Sequence, residues 1–177
     1  MRSSGDNFLQ LCYNAHIQRQ QGDADMAYDH GEKAKALFES GYNCAQAVFC
    51  AFGDVTGLDI ETAAKIASSF GGGLARMREV CGTVSGAAMV LGMVYGYSDP
   101  RAVEAKKEHY HRIQDFARQF REHNGSIICR ELLSGSYVIP GDDPELRTPE
   151  YYRRRPCPEL VRYAACLVDE CLNEKGE

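Results

Sequence analysis

The sequence predicts an all-α fold, a single-domain bundle of about six to eight helices occupying residues 1–177. Three observations carry that prediction. Apolar residues recur at helical spacing in nearly every segment, and no segment alternates with the two-residue period of a strand. Capping residues and glycine stops fall at the ends of those segments. With 44% hydrophobic and 25% charged residues in 177 positions, the chain can bury one real core, and no repeat or low-complexity tract divides it.

In chain order, a first helix is expected around residues 8–20. The next, residues 25–40, sets Ala27, Gly31, Ala34, Leu37 and Phe38 on one face and stops at Gly41. Asn43 caps a short helix with Cys44, Ala47, Val48 and Ala51 inward. Asp59 caps another, with Ile60, Ala63, Ala64, Ala67 and Phe70 in register, ended by Gly71-Gly72-Gly73. A core helix starts near Cys81 and buries Val84, Ala87, Ala88, Leu91 and Val94. Its glycines, Gly82 with Gly86 and Gly92 with Gly96, sit four apart and suit close helix contact, within the chain or across a homodimer. Asp99-Pro100 opens the longest helix, whose stripe is Val103, Tyr110, Ile113, Ala117 and Phe120, closed by Asn124-Gly125. Ser126 caps a short helix to Leu133. A loop over residues 134–156 follows, and a final helix over 158–173 turns Leu160, Val161, Ala164, Val168 and Leu172 inward.

Charge and hydropathy narrow the function. A net charge of −5 without a concentrated basic patch argues against nucleic acid. The longest apolar run, residues 80–97, is broken by Thr83, Ser85 and four glycines, so no membrane insertion is expected. The polar start reads as no secretory signal, which predicts a cytoplasmic protein. In such a reducing compartment, eight cysteines point to metal binding, redox work or core filling. No C-x-x-C occurs, which removes the thioredoxin-type and zinc-ribbon patterns, and no C-x-x-C-H permits covalent haem.

The helix map sorts these cysteines. Cys44, Cys81, Cys129 and Cys157 fall at predicted helix starts, whereas Cys12, Cys50, Cys166 and Cys171 fall inside helices and read as core filling. A helix N-terminus offers unpaired N–H donors and partial positive charge, both of which favour thiolate, the form that attacks disulfides and binds metal. Around Cys81, the glycines Gly72, Gly73 and Gly82 would let backbone approach a cofactor, and Arg76 or Arg78 would offset sulfur charge. The plainer alternative is a helix stop followed by a loop with solvated arginines. Tyr151, Tyr152 and Arg153 to Arg155 precede Cys157 and read either as a lid over the site or as solvated loop. His109 and His111, two apart on a helix, read as surface residues.

Three stretches, Gly41-Tyr42-Asn43-Cys44-Ala45-Gln46-Ala47-Val48, Phe70-Gly71-Gly72-Gly73 and Val80-Cys81-Gly82-Thr83-Val84-Ser85-Gly86-Ala87, together with Cys129 and Cys157, resemble the C-GCAxxG-C-C family of redox-active proteins. The resemblance covers roughly residues 34–171, and Thr83 stands where the CGAxxG form of the motif has alanine. That family is similar to a domain of split-Soret cytochromes, which are associated with an iron–sulfur centre as well as haem. Without a haem-attachment motif, only the iron–sulfur part carries over. The expected function is therefore an iron–sulfur cluster, most simply [2Fe–2S], held by Cys44, Cys81, Cys129 and Cys157 for electron transfer or redox sensing. The competing readings are thiol–disulfide chemistry with Cys81 as attacking thiolate and Cys44 among the redox thiols, a structural zinc site, and a helical scaffold without chemistry. Redox chemistry of either kind implies a redox partner protein.

Overall fold

The computed structural model describes residues 29–136, 141 and 143–173, so the first expected helix, Ala27 and Cys12 lie outside the described residues. Nine α-helices and no strand are found among them: α1 His30–Glu39, α2 Cys44–Ala51, α3 Gly53–Thr56, α4 Ile60–Ala67, α5 Gly82–Tyr95, α6 Val103–Asn124, α7 Cys129–Leu132, α8 Pro149–Arg153 and α9 Cys157–Asn173. A 3-10 turn, Ser68–Phe70, extends α4. The all-α expectation holds.

The core is built around α2, which packs on α1, α4, α5 and α9. It is buried almost all round, through Cys44, Ala45, Ala47, Val48, Phe49, Cys50 and Ala51, not along one stripe. Its start is fixed by a capping box. Asn43 Oδ1 accepts from the Ala45 and Gln46 amides, and the Asn43 amide donates to Gln46 Oε1 at 2.9 Å. The Asn43 side-chain amide also donates to Ser68 O at 2.9 Å, tying the cap to the end of α4.

Glycines set the approach of α5 to α2. A Cβ on Gly86 would lie 2.6 Å from Ala45 O, and one on Gly82 would lie 2.6 Å from Phe70 O and 3.2 Å from Cys44 Cβ. The second glycine pair has no such role, since a Cβ at Gly92 would meet nothing within 4 Å.

Several boundaries and stripes differ from expectation. The longest helix begins at Val103, not Pro100, because Asp99 closes a turn of its own by accepting from the Arg101 and Ala102 amides. On α6 the buried residues are Phe116 and Phe120, while Val103 (69%) and Tyr110 (49%) stay exposed, since the helix outruns the core at its N-terminal end. Ile60 and Val94 are likewise exposed at helix ends. Ser126 does not cap α7 directly. Its hydroxyl accepts from the Ile128 amide, and α7 begins only at Cys129, whose own amide is engaged elsewhere. The expected loop over 134–156 contains α8, started by Thr148 accepting from the Tyr151 amide with Pro149 behind it. No described helix is long and apolar enough to cross a membrane.

Candidate redox site

Four helices begin with the four marked cysteines. Cys44, Cys129 and Cys157 are the first residues of α2, α7 and α9, and Cys81 is the N-cap of α5. All four are buried and free. They also meet. Cys157 hydrogen-bonds Cys44, and the charge of Cys44 acts on Cys81, Cys129 and Cys157. The four sequence-distant thiols therefore share one buried region at one end of the bundle.

Two local devices bring them there. The first is an isolated antiparallel bridge, Val80 to Ile128, in which the Cys81 amide donates to Ile127 O at 2.8 Å and the Cys129 amide to Glu79 O at 2.7 Å. Alternation about that bridge sends the side chains of Cys81 and Cys129 to the same face. The second is the glycine segment. Gly72, Gly73, Leu74, Ala75 and Arg76 are five consecutive residues with φ between 45° and 71°, and Arg78 follows at 62°. This left-handed turn is strained at its non-glycine positions. It is tied down by Ala75 N to Ser69 O (2.8 Å) and Glu79 N to Gly73 O (3.1 Å). It carries the Gly72 N–H to the Cys44 sulfur and seats Gly73 so closely that a Cβ would lie 2.8 Å from Cys129 Cβ. Gly72, Gly73 and Gly82 thus all border the cysteines.

The arginines are not solvated. Arg76 and Arg78 reach Glu145 at 3.3 and 3.6 Å, and Arg155, 7% exposed, also pairs with Glu145. Arg78 Nη1 donates to Cys129 Sγ at 3.9 Å. Sequence reasoning missed Arg147 and Glu145. The Arg147 guanidinium lies over Phe38 (4.8 Å), Tyr151 (4.6 Å) and Tyr152 (6.0 Å), and its Nη1 is buried with no hydrogen-bond partner among the described residues. Arg155 also lies over the Tyr151 ring, 4.3 Å from its centroid. Tyr151, Tyr152 and Arg155, with Arg147 and Glu145, thus pack over the cysteine end, whereas Arg153 and Arg154 are exposed, so the stretch divides between the lid and solvated-loop readings. The signal that would have found this segment is Thr148-Pro149, a helix start inside an apparent loop.

The thiols are not equivalent. The hydrogen bond from Cys157 is the main cause that holds Cys44 down at about 7, against its burial, with Arg147 and the Gly72 amide helping. Cys157 is pushed up by the same hydrogen bond and by burial, so the pair gives up one proton easily and keeps the other. Burial raises Cys81 to about 12, with the charge of Cys44 adding to it and a Thr83 hydrogen bond opposing it. Burial also raises Cys129, partly offset by Arg78. Of the four, Cys44 is the most readily ionised, so the competing thiol–disulfide reading, which takes Cys81 as the attacking thiolate, falls on a thiol that burial holds protonated.

The remaining described cysteines stand apart. Cys50 is buried with its sulfur 3.8 Å from Ile60 O, and Cys166 and Cys171 are half-buried on α9. Among the described residues no group of three or more His, Cys, Asp or Glu side chains stands at the spacing of a single metal ion. Cys44 and Cys157 are hydrogen-bonded to each other, while Cys81 and Cys129 lie within reach of the Cys44 charge and bond instead to Thr83 and Arg78.

A helical bundle that turns four buried thiols toward one end, under a lid of arginine and tyrosine, defines a cysteine-centred protein of the redox class. The family comparison agrees. The model described as "Putative redox-active protein (C_GCAxxG_C_C)" matches residues 42–171, and the chain belongs to that family. No curated protein and no solved structure matches the chain.

Proposed function

We propose that the chain is a redox protein whose Cys44, Cys81, Cys129 and Cys157 hold an iron–sulfur centre, most simply [2Fe–2S], for electron transfer or redox sensing. The observation that carries this reading is the convergence of four buried sulfurs from four helix starts. Thiolates suit iron, and four of them match the ligand count of a centre in which each iron takes two. When bound, the group supplies a one-electron couple. The chain's own part is to hold and insulate it. Helix N-termini and the Gly72 amide offer donors to sulfur, while Arg76, Arg78, Arg147 and Arg155 outnumber Glu145 and offset negative charge. Tyr151, Tyr152 and the lid exclude water.

The test is an absorption spectrum of anaerobically purified protein, with iron, acid-labile sulfide and zinc determined on the same sample. Visible bands with equal iron and sulfide support the proposal. Zinc at one per chain without colour would identify the structural-zinc alternative instead.

A second reading is favoured by one contact, the hydrogen bond between Cys157 and Cys44. In it the Cys44 thiolate attacks a substrate disulfide, a mixed disulfide forms, and Cys157 resolves it. The substrate leaves as two thiols, taking two electrons from the dithiol, and Cys44–Cys157 becomes the disulfide. A metal-free protein that forms this disulfide on mild oxidation, seen by peptide mass mapping, would select the second reading.

A further inference from the structure

The core of the bundle holds one hydroxyl that its helix does not need. Thr83 sits on the first turn of α5, 1% exposed and packed among apolar neighbours. A buried hydroxyl without a partner costs on the order of 1–3 kcal/mol, so its partner is informative. That partner is a sulfur. Thr83 Oγ1 lies 2.7 Å from Cys81 Sγ in a fully buried contact. No backbone carbonyl takes the hydroxyl, and the Thr83 backbone amide also donates to the Cys81 sulfur, so Thr83 addresses that one atom twice. Threonine at this place therefore serves Cys81, since an apolar residue of the same shape would fill the same space.

We propose that Thr83 is a positioning and tuning residue for the Cys81 sulfur, donating its hydroxyl hydrogen to the thiolate and favouring the reduced state of the centre. This rests on the iron–sulfur reading above. The physical reason is charge. On reduction the centre gains one electron from an external one-electron donor, no bond to the chain is made or broken, and part of the added negative charge resides on the sulfurs. A donor aimed at a sulfur stabilises the more negative state more, which raises the reduction potential. The other described contact of this kind, Arg78 with Cys129, is longer at 3.9 Å and comes from a half-buried side chain that is shared with Glu145. Thr83, rigid in a helix and shielded from water, is the better placed of the two donors.

The experiment compares the full-length wild type with Thr83→Val, which keeps the shape and removes the hydroxyl, and Thr83→Ser, which keeps the hydroxyl. Thr83→Ala serves as a second hydroxyl-free variant if the valine protein does not load. Each is reconstituted anaerobically with ferrous iron and sulfide, and its midpoint potential is measured by dithionite titration followed by electron paramagnetic resonance. Loss of the hydroxyl should lower the equilibrium constant for reduction roughly tenfold, about 59 mV for one electron, with serine restoring most of it. An unchanged potential in both hydroxyl-free proteins, or an equal shift in the serine protein, would overturn the assignment of Thr83. Failure of the wild type to take up iron and sulfide would instead overturn the iron–sulfur reading, and the Thr83 assignment with it.

Discussion

The helices that begin with Cys44 and Cys157 run away from the thiols and end beside His30, and the two ends are built on opposite plans. At the far end, the His30 ring, 6% exposed, is stacked 4.0 Å over Phe52 and has a carboxylate on each nitrogen. Nδ1 is 2.7 Å from Asp169 of α9 and Nε2 is 3.1 Å from Asp54 of α3, with Lys33 3.7 Å from Asp54 on its outer side. Both ring nitrogens are engaged, and the backbone there is ordinary. At the near end, four thiols, a buried guanidinium nitrogen and a run of left-handed residues crowd together. One end closes its polar groups on each other, and the other keeps polar capacity open toward sulfur. Strain and unmet valence gather at the thiol end, and satisfied pairs gather at the His30 end.

The contrast can be broken most severely at the thiols. Cys44→Ser should abolish stoichiometric iron and sulfide uptake, whereas Cys50→Ala, further along the same helix, should leave uptake intact. Metal analysis of both proteins decides it, and equal loss in both would mean that the near end has no special cysteines. At the far end the effect should be on stability alone. His30→Ala should lower the unfolding free energy by about 2 kcal/mol in urea titration while iron uptake is unchanged, because two carboxylates lose their shared cation.

The pH dependence sharpens the same point. Burial by itself would lower the pKa of His30, but hydrogen bonds and charge from Asp169 and Asp54 outweigh it and raise it above the ordinary 6.5. Stability from His30 should therefore be fully present below about pH 6.5 and fade as pH rises through the folded-state value. The gap between wild type and His30→Ala should narrow accordingly across alkaline pH. A gap that widens would show that the ring is not held protonated.

Smaller effects probe how the near end is assembled. Asn43→Ala removes the capping box of α2 and should cost about 1–2 kcal/mol, measured by denaturant unfolding. Leu74→Gly, at a φ of 61° and 41% exposed, should stabilise the chain by about 0.5–1 kcal/mol by relieving the left-handed turn. A destabilisation by Leu74→Gly would mean that the turn is not strained.

Much of the near end was legible because its devices are local. Asn43 and Asp59 each stand directly before the helix they cap, and the glycines at 71–73 announce a backbone that side chains cannot enter. The four cysteines were separable from the others by their place at helix starts. Their convergence was not legible, because it depends on a bridge between Val80 and Ile128 that leaves no periodicity in the sequence and on a contact between Cys44 and Cys157, whose helices lie far apart along the chain. The ranking of the thiols escaped for a related reason. Helix starts alone make Cys44 and Cys81 equal, and only the contact with Cys157 separates them. His30 and Arg147 were missed because their partners, Asp54 and Asp169 for one and Phe38 and Tyr152 for the other, lie on different helices.

The bridge also sets how the chain tolerates gain or loss of residues. A strand pair turns its side chains over with every step of register, so one residue deleted between Ile127 and Cys129, or between Glu79 and Cys81, would swing one cysteine to the opposite face of the pair. Insertion of two there would keep the face and shift the sulfur by one pleat. The turn over residues 97–102 carries no such parity, and its length can change without moving a thiol. Within these two short arms the site is counted in odd and even numbers, and spacing there is a stricter requirement than composition.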